Sequence, residues 1–453
     1  MCIRDRFSIS GLKDGEVVRT QWYEGFTDKK EVDFPTGEYD MITIDEPRLT
    51  PDFNYKNNSI KTSGVFKKLE PLSLKFLGGV ENPTRSTIYG TPIVAWNKYD
   101  KFMVGALLHN YDFLPKKFDF ALAPMYSFAS KELVGVGNLG LNFYPESNLF
   151  HRISLDLNAK RFSYNESDLY GFFDNYLKVA PQLEFEFAKK TAHSSVQQNL
   201  SFRYIFVEQN FGRGLDTLTL EFEELKQEYG VFEAKYTFSN NRATSPYQVT
   251  ATVQQGTGFT RLFANGRYWV PYKDAGKGAR IKAFAGVLAN FDNPTPDVKF
   301  KWSGQTGFNI FQNDYLFDEI IFGRNEREGL WSQQVFNRDA DLRTLSNVGS
   351  STDWMVGFGV STTAPGPIPV RPYIDVAIYS GFTIDGQETL VGYSGGLALV
   401  AIPDILEIYL PLVESSNIKE SLTYVTRDTF FKRISFLFDL NESKRAVGKS
   451  LEF

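Results

Sequence analysis

The chain of 453 residues contains one cysteine, Cys2, and three histidines, His109, His151 and His193. One thiol closes no internal disulfide and builds no cysteine-based zinc site. No HExxH occurs, and no two histidines stand at helical spacing. Zinc hydrolysis needs ligands converging at about 2.0–2.3 Å, and nothing here signals it. The one GxSxG match, "GYSGG" (Gly392–Gly396), lies inside an apolar, alternating ending and lacks the strand-to-helix turn that exposes a hydrolase nucleophile. No apolar run approaches the ~20 residues of a membrane helix. There is no basic excess: the net charge is -5, with Lys and Arg scattered along the chain. That removes the basic stripe of a nucleic-acid surface.

What is present is aromatic and alternating. Hydrophobic residues make up 42% and aromatics 15%, ample for a core. From Thr91 onward, long segments switch between apolar and polar at every residue. "ISLDLNAK" sets Ile153, Leu155, Leu157 and Ala159 against Ser154, Asp156, Asn158 and Lys160. "VRPYIDVAI" sets Val370, Ile374, Val376 and Ile378 against Arg371, Tyr373 and Asp375. "LKVAPQLEFEF", "QVTATVQ" and "ISFLFDL" repeat the pattern. A strand sends successive side chains to opposite faces, so each segment has one apolar and one polar face. About sixteen such segments fall between 91 and 441, including 229–239, 247–257, 259–272, 279–291, 352–364 and 432–441. Strands of ~10 residues exceed the usual 5–6 of soluble sheets. An even number of long alternating strands predicts an all-β fold, a closed antiparallel transmembrane β-barrel with polar residues in its lumen. Tyr111, Tyr144, Tyr164, Tyr272 and Tyr379, near strand ends, suit interfacial girdles. The competing fold is a soluble all-β sandwich or propeller, where alternation also occurs.

Other segments set the domain plan. "MCIRDR", residues 1–6, reads as translated sequencing adapter, and the chain as a C-terminal fragment. Residues 7–65 read as the end of a β-sandwich domain, with turns at Pro47, Pro51 and Asn57-Asn58. Residues 66–90 read as a connector, 91–441 as the barrel and 442–453 as a tail. "GVGNLG" (Gly135–Gly140) matches GxGxxG, but lies inside an alternating segment instead of opening a helix.

Residues 292–350 do not alternate. A long non-strand insertion is uncommon in a compact domain, and this one carries Tyr315, Phe317, Ile320, Ile321, Phe322 and Trp331, which disordered segments avoid. At its centre is "FGRNEREG" (Phe322–Gly329). A large barrel has a wet interior that can hold an inward-folded loop. The expectation is a lumenal loop in which Arg324 pairs with Asp375, on the polar face of strand thirteen; the alternative is a solvated surface loop.

Two family resemblances bear on these residues. Arg324 in "GRN", Asp375 in "VRPYIDVAIYS" and the ending "GYSGGLALVAIPDILEIYLPLV" followed by "RISFLFDL" resemble the sixteen-stranded barrel superfamily of outer-membrane protein assembly and two-partner secretion. That resemblance implies an arginine in a lumenal loop meeting an aspartate on strand thirteen, although Asn325 stands where the family has glycine. "EYDMITIDEPRLTPDFNYKNN", "LKFLGGVENPTRS", "WNKYDKFMVGALLHN", "FDFALAPMYSFASKELVG" and "DYLFDEIIFGRNEREGLWSQQ" resemble the C-terminal portion of M1-like (gluzincin) metallopeptidases of Bacteroidota type. This second resemblance implies a zinc aminopeptidase parent acting on a peptide substrate, with its catalytic centre upstream of this chain and no catalytic, cofactor or metal residue within it. Together they imply a monomeric anchor barrel in the outer membrane of a Gram-negative bacterium, with lipid as its partner. The alternative function is an assembly, secretion or transport barrel with no enzymatic parent.

Overall fold

The computed structural model describes residues 3–439, apart from 27–29, 50–51, 53–54, 65–66, 68–71, 79–84, 112–115, 168–171, 192, 216–221, 275, 305–313, 367, 384–385, 425–426 and 428. The expected tail, 442–453, lies outside the described residues. The chain divides into two compact units, Met1–Pro92 with Ala106–Ala121, and Ile93–Gly105 with Leu122–Phe453.

The first unit holds a four-stranded sheet of β1 (Ile3–Lys13), β2 (Glu16–Phe26), β3 (Met41–Ile44) and β4 (Ser59–Lys61), in the order β2-β1-β3-β4. Phe7 and Ile9 are its buried centre, covered by Tyr23, Phe26, Val32, Phe34, Ile42 and Ile44. The connector expected at 66–90 contains a strand, β5 (Leu72–Phe76), parallel to the start of β6 (Ser86–Asn97). Its five residues "LSLKF" are too short to stand out as a periodic signal.

The remaining strands are β7 (Lys101–His109), β8 (Phe118–Ser127), β9 (Leu133–Phe143), β10 (Phe150–Ser167), β11 (Phe172–Phe187), β12 (Val196–Leu215), β13 (Phe222–Asn240), β14 (Tyr247–Pro271) and β15 (Gly278–Thr295). Then come the short β16 (Phe300–Lys301), β17 (Gln334–Val335) and β18 (Ser350–Ser351). β19 (Trp354–Thr362), β20 (Val370–Thr383), β21 (Gly386–Ile402), β22 (Leu406–Glu414) and β23 (Ser435–Phe438) complete the order. The GxGxxG stretch is part of β9, with a strand on either side of it and no helix.

The second unit is dominated by one large antiparallel sheet. From β9 to β15 each strand pairs with the next in chain order. β15 then pairs with β19, passing over the insertion, and β19 to β23 continue in order. β14 is a hairpin: its first half pairs with β13, its second with β15. Trp269 N donates to Pro246 O at 3.0 Å, and Arg261 reaches back to Gln254. The fold-back is at Gly258, whose φ of 77° suits a tight hairpin turn.

Burial in this sheet runs opposite to that of a soluble protein. Leu155 (47%), Phe232 (44%), Phe358 (50%) and Ile374 (55%) are exposed on one face. Their alternating neighbours Ser154, Glu233 and Asp375 are buried on the other. Tyr373 and Asp375 face inward and Ile374 outward, as their alternation predicts.

Candidate functional site

The insertion covers the charged face. β16 and β18 pair with each other, so that the two ends of the segment meet near β15 and β19. Val298, Phe300, Trp302, Tyr315, Leu316, Phe317, Leu342 and Leu345 are all buried against sheet residues such as Ile205, Val207, Val231 and Ala377. The aromatics of the insertion are therefore a core, which answers why a long loop carries them.

Charges thread this core. Asp314 is fully buried and holds two arginines: Arg324 through Nη2 at 2.7 Å and Arg338 through Nη1 at 2.7 Å. Its carboxylate also accepts the backbone N–H groups of Asp318 (3.0 Å) and Glu319 (3.3 Å). Arg324 lies over Phe317 at 4.5 Å, and Phe317 stacks on Tyr176 of β11 at 4.0 Å. Asp318 links the insertion to the sheet. It is paired with Lys178 of β11, with Arg203 of β12 at 2.6 Å, and with Arg338 at 3.5 Å. Arg203 in turn pairs with Glu233 of β13 at 2.6 Å. Such short charge-assisted bonds, several per carboxylate, are what allows ions to be buried at all.

The same groups tune one another. Burial would raise the Asp318 carboxyl, but Arg203 and Lys178 outweigh it and hold it well below the usual carboxylate range. Burial and the adjacent Asp314 carboxylate push Glu319 up to about 8.

A second cluster forms around Arg261 of β14, which is fully buried, paired with Asp339 and placed 4.4 Å over the Phe300 ring. A third forms around Asp375. There Arg343 of the insertion approaches at 3.3 Å and donates its backbone N–H at 3.1 Å, while Lys282 of β15 lies 3.5 Å away.

The expected pair is therefore corrected. Arg324 is buried beneath the insertion, not solvated, but its partner is Asp314. Asp375 is inward and buried, but its loop partner is Arg343. The physical reason is that the segment supplies its own aspartate ten residues before Arg324. A local partner needs no long-range register. Asp314, Asp318, Arg338 and Arg343 had one signal in the sequence, charges lodged among the aromatics of a non-alternating segment. Arg203 and Glu233 stood on the polar face of their strands.

One further expectation changes. Of the girdle tyrosines, Tyr111, Tyr144 and Tyr272 are exposed, while Tyr164 and Tyr379 are buried. Tyr164 packs on Phe317 at 6.0 Å and Tyr379 on Trp302 at 5.2 Å, so both hold the insertion. Tyr373, on the inward face of β20, donates its hydroxyl to Arg343 O, and its ring meets that guanidinium.

The segment "FGRNEREG" sits where the end of β6 and the short last strand, β23, come near each other. Phe322 O accepts from Lys98 N at 2.8 Å, just past β6, and its ring lies 6.4 Å from Trp96. On its other side the ring lies 5.2 Å from Phe438 of β23. Asn325 N donates to the Tyr99 hydroxyl at 2.8 Å. β17 pairs in parallel with β23, Gln334 beside Phe436 and Val335 beside Leu437.

Among the described residues, no three His, Cys, Asp or Glu side chains gather in a way that could hold a metal. No family model matches the sequence, and no curated protein matches it. The metallopeptidase resemblance thus finds no support from relatives. Among solved structures the chain is similar to CdiB from Acinetobacter baumannii, with TM-score 0.36, 13% identity, and coverage of 74% of this chain and 58% of that one. It is similar to BamA from Haemophilus ducreyi lacking POTRA domains 1–3, with TM-score 0.39, 10% identity, and coverage of 73% and 67%. It is also similar to CdiB from Escherichia coli, with TM-score 0.39, 10% identity, and coverage of 73% and 59%. The chain spans little more than half of either CdiB.

Proposed function

We propose that the large sheet closes into a sixteen-stranded β-barrel of a Gram-negative outer membrane, and that the described residues of the insertion, 296–304 and 314–353, fold into its lumen. The barrel serves assembly, secretion or transport, and works as a monomer in contact with lipid. One observation carries this reading: large apolar side chains are exposed on one face of the sheet while ion pairs are buried on the other. Lipid solvates the first face, and a lumen with its loop accounts for the second. A soluble protein would expose an apolar patch far larger than the few hundred Å² that monomers show.

Support for closure comes from Trp96 of β6 and Phe438 of β23, which share Phe322 as a neighbour. Closing removes the sheet edges that lipid cannot hydrogen-bond. Counting the Tyr247–Pro271 hairpin as two strands brings β6–β15 and β19–β23 to sixteen. In this reading the short connections from β14 to β15, β19 to β20 and β21 to β22 face the periplasm, and the long insertion starts from the outer end, as short turns and long loops are placed in such barrels. A peptidase parent is left out of this proposal, since no relative supports it; an in-frame HExxH upstream in the genome would restore it.

The test is electrophoresis of the refolded chain in detergent, boiled against unboiled. A compact band that converts on boiling is expected from a closed barrel. A species that stays soluble without detergent and shows no heat-dependent shift would overturn the reading.

A further inference from the structure

At the turn end of the sheet lies a shallow pocket of about 350 Å³, broadly open to solvent and bordered by Trp269, Arg280, Arg371, Pro246, Pro403 and Gly276. A narrower cavity of about 30 Å³, room for about one water, shares Arg280 and Arg371 and also touches Arg267, Lys282 and Arg343. Every element here converges for a geometric reason. Trp269 ends β14, Arg280 opens β15, Arg371 opens β20 and Pro403 turns between β21 and β22.

The charges do not balance. Lys282 is paired with Asp341 at 3.1 Å, Arg343 with Asp375 at 3.3 Å, and Arg280 with Asp404. Glu407 accepts from Asp404 N at 2.9 Å and from the Tyr409 hydroxyl at 3.1 Å. Five cations, with Arg267 among them, face four carboxylates. Among the described residues the Arg371 side chain makes no salt bridge or hydrogen bond at contact distance; Glu407 and Asp404 face it from further off, as do Arg280 and Arg343. Arg371 stands on the inward face of β20, two residues before Tyr373, and lines both the pocket and the cavity. A guanidinium presents a planar fork of donors that matches an oxyanion, and an unpaired one beside a second arginine raises local anion concentration. Trp269 and the two prolines add an apolar wall.

We propose that this vestibule binds a phosphate-bearing ligand, with Arg371 as its principal donor, Arg280 beside it and Trp269 against any apolar group the phosphate carries. The site depends on the barrel reading only for the compartment it faces, the periplasmic mouth of the lumen.

The test is calorimetric titration of the refolded chain in an uncharged maltoside detergent. Two probes are used, inorganic phosphate and dihexanoyl phosphatidic acid. Saturable binding is expected, weakened by salt and by about tenfold in Arg371→Gln, the scale of one lost charge-assisted bond. Arg371→Lys should recover part of it. If phosphatidic acid binds more tightly and Trp269→Ala erases the difference, the ligand is a lipid headgroup; if both bind alike, it is a free oxyanion. Absence of saturable binding for both probes, or undiminished binding in Arg371→Gln, overturns the site. Each sample is also scored for the heat-dependent gel shift. A negative titration in shift-positive protein refutes the vestibule alone, and a missing shift refutes the barrel.

Discussion

At the scale of single residues, the interior is a set of partner choices. Arg324 had two inward aspartates to choose from, and it pairs with the near one, Asp314, while Asp375 holds Arg343. Removing one partner of a buried pair leaves the other unpaired and costs about 3–5 kcal/mol. A double-mutant cycle separates the two candidate pairs. Arg324→Ala and Asp314→Ala should couple by ~1–3 kcal/mol, whereas Arg324→Ala and Asp375→Ala should add to within ~0.5 kcal/mol. The readout is the temperature at which the compact electrophoretic form is lost. Strong coupling of Arg324 to Asp375, with none to Asp314, would show that the arrangement of the insertion is wrong. Alternation alone revealed that Asp375 points inward, because its direction follows from strand geometry. The identity of its partner was hidden, because residues 292–350 have no period from which to read a direction.

At the scale of elements, the insertion is fitted to the sheet by shape as well as by charge. Trp302 is fully buried, its ring edge-on to Tyr379 at 5.2 Å. Gly392 on β21 leaves the space: a Cβ there would lie 1.9 Å from the indole. Gly392→Ala should therefore lower the stability of the compact form by about 1–3 kcal/mol, the usual cost of overpacking. Gly266→Ala, on a strand position with open space around its Cβ, should leave it near wild type. Equal melting of the two variants in detergent would mean that Trp302 does not occupy this slot. The same fit explains Tyr164 and Tyr379. Their place near strand ends suggests a membrane girdle, yet they turn inward because the insertion offers Phe317 and Trp302 as partners. Position along a strand is legible from sequence; the presence of a loop beneath it is not.

At the scale of the whole molecule, the proposed barrel would set its two faces against different solvents. Leu157 is exposed on the apolar face, and Asn158, next to it near the middle of β10, faces the other way and accepts a hydrogen bond from Asn138 at 2.8 Å. Leu157→Arg should cost ~2–4 kcal/mol near the bilayer midplane. Asn158→Arg loses one hydrogen bond but meets a polar interior, and should cost less. Refolding yield into lipid vesicles, read as the heat-shifted fraction, compares them at the same depth. Equal yields would mean that the faces are misassigned.

By itself the sequence determined the long strands, their faces, the hairpin at Gly258 and the break in pattern after about 291. These follow from the strict period of two, which every strand obeys whatever surrounds it. Only the tertiary structure decided that Asp314 and not Asp375 holds Arg324, that Asp318 ties the insertion to Lys178 and Arg203, and that, among the described residues, Arg371 has no salt bridge at contact distance. Those outcomes depend on which side chains of distant strands arrive at one place. In a segment without periodicity, no local rule encodes that meeting; packing and charge neutralisation settle it once the chain has folded.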